Sequence, residues 1–162
     1  MQQSSNFARR TISFSEAAVE GLFGGAVAGL AMAVYLAVTA LLRGEDLVSF
    51  FSYFSPSQTS APLAGLLVHL AVSGIYGILF GIFWVLGLHI RSLQPFFRHA
   101  TILGILYGLV LFLLAWNFLL PASNSPLLKI PFFDFGLAHI IYGAVLGFVT
   151  ERSARREWER QE

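Results

Sequence analysis

Two histidines are the residues of this chain best placed to do chemistry: His69, at the end of APLAGLLVH over 61–69, and His139, within GLAHIIYGAVLG over 136–147. An imidazole donates, accepts, titrates near neutral pH and ligates metals. Within a membrane, an ionisable side chain is a functional hypothesis by default. Three readings compete. In the first, each ring bonds a backbone carbonyl, Ser73, a tyrosine hydroxyl or the other histidine, and the role is structural. In the second, His69 and His139 are axial ligands of haem b or a (bacterio)chlorophyll-type pigment, lined by Trp116, Tyr76 and Tyr142. In the third, they handle protons or ions, without a deep acid or base to continue a relay. A metal site is poorly supported by two histidines alone.

Each histidine lies on a stripe of small residues. Gly65, His69, Ser73, Gly77 and Gly81 are four apart, and so are His139, Gly143 and Gly147. Positions four apart share one helix face. Gly21, Gly25, Gly29, Ala33 and Ala37 form a third stripe, and Gly104 and Gly108 a fourth. Small residues let helices approach closely in lipid, where tails are as apolar as leucine and hydrophobicity drives no association. Tyr76-Gly77, Tyr107-Gly108 and Tyr142-Gly143 repeat a dipeptide. The layout predicts two helical hairpins related as parallel repeats. Inverted repeats, one sign of secondary transporters, are not read from it.

The elements that carry these stripes follow from composition. Of 162 residues, 56% are hydrophobic and 12% charged, and mean hydropathy is +0.71. A soluble domain of this length could not hide so much apolar surface. There is no cysteine, which excludes disulfides and thiolate chemistry. Four stretches are long enough to cross a hydrocarbon core about 30 Å thick, and only helices satisfy their backbone there. The prediction is an all-α polytopic membrane protein: a segment at 1–15, a transmembrane domain at 16–150 with spans at 16–43, 62–90, 99–120 and 132–150, and a C-terminal helix extension at 151–162. Ser13 and Glu16 have capping-box spacing, which starts the first helix near residue 14. Arg9 and Arg10, followed by Glu16, Glu20 and a full-length apolar run, read as flanking a retained span rather than an export signal.

Arg9, Arg10, Arg91, Arg98, Arg152, Arg155, Arg156 and Arg160 fall on one side of this topology, Arg43 and Lys129 on the other. Positive charge marks the cytoplasmic side, so both termini are expected in the cytoplasm and the protein in a bacterial inner membrane. His89 and His99 read as interface residues beside anionic lipid heads. Aromatics in the loops at 44–62 and 121–131 suit the headgroup layer. No phosphate-binding glycine loop, Ser-His-Asp set, His-Glu-x-x-His motif or basic aromatic patch for nucleic acid occurs.

The stretches 61–69 and 136–147, the glycine-rich first span and Leu120-Pro121 resemble a class of small bacterial four-span membrane proteins of unknown function. The resemblance covers most of 16–150 and implies a fold, with no catalytic residue to transfer. The expected role is non-catalytic: an accessory or packing subunit of a larger membrane complex, such as an energy-converting one, with the bilayer and other membrane subunits or a second copy as partners. Haem or pigment binding through His69 and His139 is the alternative, and a small transporter or channel the second.

Overall fold

The computed structural model describes residues 13–55 and 61–159, with side chains to Arg156. Arg9, Arg10 and Arg160 lie outside the described residues. Four helices are long and apolar enough to span a membrane, as expected, and no strand occurs among the described residues.

Helix α1 (Phe14–Leu42) begins at a complete capping box. Ser13 Oγ accepts from the Glu16 N–H at 3.2 Å, and the Glu16 carboxylate accepts from the Ser13 N–H at 2.9 Å. At the other end Gly44 adopts φ +77°, a left-handed turn that glycine takes without a Cβ clash. The Gly44 N–H then bonds Leu41 O and the Glu45 N–H bonds Ala40 O, the Schellman pair that satisfies the last carbonyls. Asp46 caps the short helix α2 (Leu47–Ser52). Helix α3 (Pro62–His89) starts on a proline, where a missing N–H does no harm.

After the short helix α4 (Gln94–Phe97), helix α5 (Ala100–Leu114) continues through a π turn (Ala115–Leu119) into α6 (Leu120–Ala122). In a regular helix the Pro121 ring would meet the carbonyl four residues back. The widened turn, closed by the Leu120 N–H on Ala115 O, relieves that conflict. Asn124, at φ +46°, closes this helix as Gly44 closes α1: its N–H bonds Pro121 O, and the Ser125 N–H bonds Leu120 O. A 3-10 turn (Pro126–Lys129) leads to helix α7 (Phe132–Glu159).

Helix α1 packs on α3, and α5 on α7. These are the two expected hairpins, and they touch backbone to backbone. A Cβ on Gly21 would overlap the Gly77 carbonyl, and one on Gly77 would overlap the Gly21 carbonyl. Gly104 and Gly143 stand in the same reciprocal relation. A Cβ on Gly25 would strike Ser73 O, and one on Gly108 would strike His139 O. Gly81 faces Ala17 O, and Gly147 faces Ala100 O. Gly29 lies under the Ser73 side chain, and Gly65 under the Phe51 carbonyl in the last turn of α2. From Gly21, Gly25, Gly77 and Gly81 to Gly104, Gly108, Gly143 and Gly147 the second hairpin therefore repeats the contacts of the first, with Gly143 in the place of Gly77.

The hairpins join along α1 and α7. Leu146 and Val149 pack over Gly24, and Arg43 pairs with Asp134 where α1 ends and α7 begins. Helices α3 and α5 meet only through a few side chains. At the end of the bundle near α4, those side chains fill the space. Trp84 Nε1 donates to Phe97 O at 2.7 Å, with the Phe97 ring over Gly87, and Phe80 lies 5.3 Å from the Tyr107 ring. Toward the α2 end, the space between α3 and α5 is open.

Candidate functional site

The open half is a cleft of about 260 Å³ lined by residues from every long helix. Helix α3 contributes His69, Val72, Ser73 and Tyr76. Helix α7 contributes Phe135, His139 and Tyr142. Met32 comes from α1, and Leu111, Leu114, Ala115 and Leu119 from α5 and its π turn. Phe54 and Leu127 reach in from the two loops. Val72, Leu114 and Leu119 are 43%, 46% and 53% exposed. The cleft thus opens sideways between α3 and α5, toward the surface that lipid covers.

Both histidines line this cleft, and their bonds differ. His69 Nε2 donates to Gly29 O at 3.0 Å, across the α1–α3 contact. His139 Nδ1 donates to Phe135 O at 2.8 Å, one turn back on its own helix. A carbonyl can only accept, so in each case the bonded nitrogen carries the proton. His139 is 8% exposed. Its Nε2 has no hydrogen-bond partner among the described residues, and no fully enclosed side-chain nitrogen or oxygen among them lacks one. The ring that carries that nitrogen lines the cleft. The repeat explains the difference. Matching Gly77 with Gly143 sets Ser73 opposite His139 and His69 opposite Phe135. The two histidines are not equivalent positions; they sit one turn apart in the repeat.

Two tyrosine hydroxyls tie the helices around the cleft, Tyr142 in its lining and Tyr107 outside it. Tyr142 donates to Ser73 O at 2.7 Å, and Tyr107 to Tyr76 O at 2.9 Å, so α7 and α5 are each tied to an α3 carbonyl. Ser73 Oγ donates to His69 O at 2.8 Å. The Phe54 ring stands edge-on to His69 at 4.8 Å, and Phe135 edge-on to His139 at 4.5 Å.

A macrocycle held between His69 and His139 does not fit this arrangement. His69 commits Nε2 to Gly29 O and keeps only Nδ1, and a cleft of about 260 Å³ is too small for a macrocycle between the two rings. Among the described residues no group of three or more His, Asp or Glu is placed to hold a metal ion. Of the small residues singled out in the sequence, Ser73 alone enters the cleft; the glycines lie at helix contacts. Sequence reasoning missed Phe54, Leu127 and Ala115, because two stand on loops and one in a π turn that no local periodicity marks. Phe135 had a usable signal, its place one turn before His139.

No family model matches this chain, and no curated protein or solved structure does either.

Proposed function

We propose that this protein is a non-catalytic membrane protein that binds a small, largely apolar molecule dissolved in the bilayer. The carrying observation is the sideways cleft between α3 and α5, lined by His139, whose Nε2 has no partner among the described residues. Binding sites of this kind combine apolar walls with a few placed polar groups. Among the described residues no carboxylate or basic side chain other than the two imidazoles lines the cleft, which supports binding over acid–base catalysis. An accessory role in a larger membrane complex is compatible with this reading, since a subunit can carry such a molecule. In the bacterial inner-membrane setting, with the Arg91, Arg98 and Arg152 end cytoplasmic, the cleft lies in the outer half of the bilayer.

The test is extraction directly into lipid nanodiscs without detergent, followed by native mass spectrometry. The wild-type protein is expected to retain a small apolar molecule absent from empty discs. Ala115→Phe, which grows a ring into the cleft, is expected to lose it at an unchanged unfolding temperature. Equal retention by both proteins, or none by either, would sink the reading.

A further inference from the structure

The polar atoms of the cleft have a common sense. With Nδ1–H committed to Phe135 O, a neutral His139 offers a bare lone pair at Nε2. Neutrality follows from the surroundings: among the described residues no carboxylate lines the cleft to pair with an imidazolium, and an unpaired charge in apolar surroundings is expensive. Ser73 Oγ and the Tyr142 hydroxyl have each spent their hydrogen on α3 carbonyls, His69 O and Ser73 O. What remains on both oxygens is lone pairs. His69, with its proton on Nε2, also keeps its lone pair, at Nδ1. Tyr76 alone among the lining residues keeps a hydroxyl hydrogen uncommitted among the described residues.

We infer that the bound molecule presents a hydroxyl as hydrogen-bond donor, and that His139 Nε2 accepts it. This inference rests on the cleft being a ligand site, the reading given above. Among the described lining residues only the Tyr76 hydroxyl is left to donate to a ketone, an ether or a carboxylate, whereas a hydroxyl donor meets the lone pairs of His139, Ser73 and Tyr142. An acceptor head is the poorer match to that set, and such a mismatch is where binding sites discriminate most. An apolar molecule with a phenol- or alcohol-type head satisfies the lone pair and leaves its hydrocarbon in the mouth between Val72 and Leu114. The rings of Phe54, Phe135, Tyr76 and Tyr142 around the head position favour a flat aromatic hydroxyl.

The experiment uses the full chain in nanodiscs with nitrogen-15 histidine, and four probes of similar skeleton: 1-naphthol, 1-methoxynaphthalene, 1-tetralone and decahydro-1-naphthol. Affinities are corrected for partition into empty discs. 1-Naphthol is expected to bind about tenfold more tightly than the ether or the ketone, the scale of one hydrogen bond made in a low-dielectric site. It should also shift the Nε2 resonance of His139. His139→Phe should reduce 1-naphthol to the affinity of the ether, and Ala115→Phe should remove all binding. Decahydro-1-naphthol separates aromatic from aliphatic alcohols as the source. Equal affinity of 1-naphthol and its ether, both abolished by Ala115→Phe, would overturn the donor inference and leave the cleft a ligand site. Binding by no probe, or binding indifferent to Ala115→Phe, would overturn both. A hydroxyl preference that survives His139→Phe would overturn the role of His139.

Discussion

Helix α3 meets its two neighbours in opposite ways. Against α1 it presents Gly77 and Gly81, and the two backbones touch with no side chain between them. Against α5 it presents Tyr76 and Phe80, and contact is made through rings and one tyrosine hydroxyl. The first contact holds a hairpin together. The second leaves a cleft wherever the rings stop. The histidines divide in the same way. His69 spends its Nε2 proton across the α1 contact and keeps Nδ1, whereas His139 spends its Nδ1 proton on its own helix and keeps Nε2. What each histidine does is decided by which carbonyl it reaches.

The strongest way to break this contrast is to put a large side chain on each side of it. Gly77→Leu and Gly143→Leu each force a branched side chain into a facing backbone carbonyl. We expect each to lose more than about 3 kcal/mol, the upper range for overpacking a filled core. The check is unfolding in a detergent series, where either variant should fail to reach the wild-type folded fraction. Ala115→Phe, on the open side, should leave that fraction unchanged. If the glycine variants unfold like the wild type, the backbone contacts are not what holds the hairpins.

A finer test exchanges each histidine for phenylalanine. His69→Phe removes a bond between helices and should cost about 1 kcal/mol, within the range measured for interhelical bonds in membranes. His139→Phe removes a bond within one helix and should cost less than half as much, while losing the hydroxyl preference of the cleft. Thermal unfolding of the two variants side by side decides it; equal losses would erase the distinction drawn here. Tyr142→Phe should cost roughly 0.6 kcal/mol, the average for such bonds, by releasing α7 from Ser73 O. An absorption spectrum of haem-supplied protein should show no Soret band, and a band lost in His139→Phe would return the site to axial ligation.

The smallest effect lies outside the membrane. The Ser49 N–H bonded to Asp46 holds that carboxyl below the usual aspartate range. A depressed carboxyl stabilises the fold above its unfolded-state pKa, and the contribution fades as pH falls through the folded value. Acidification below the ordinary aspartate range should therefore loosen the first turn of α2. The Ser49 amide resonance reports it, and an unmoved amide in Asp46→Asn at neutral pH would show that charge is not needed for the cap.

Much of this was legible residue by residue. The Ser13–Glu16 spacing marks where α1 starts, because a cap is a contact between neighbours in sequence. The glycine stripes mark the contact faces, since residues four apart share a helix face. The paired chain reversals at Gly44 and Asn124 were not read. Glycine at a helix end is a known signal, but asparagine in its place is a weaker one.

The sequence by itself determined that four apolar helices form and which faces of them carry small residues. In a bilayer that outcome is nearly forced, because each backbone must satisfy its own hydrogen bonds within its own segment. Only the tertiary structure decided that α3 and α5 stand apart, that the two histidines sit one turn out of step, and which nitrogen of each is left free. Those outcomes depend on which carbonyl of which helix comes within reach. That distance is set by packing between segments far apart in the chain, and no spacing along the chain records it.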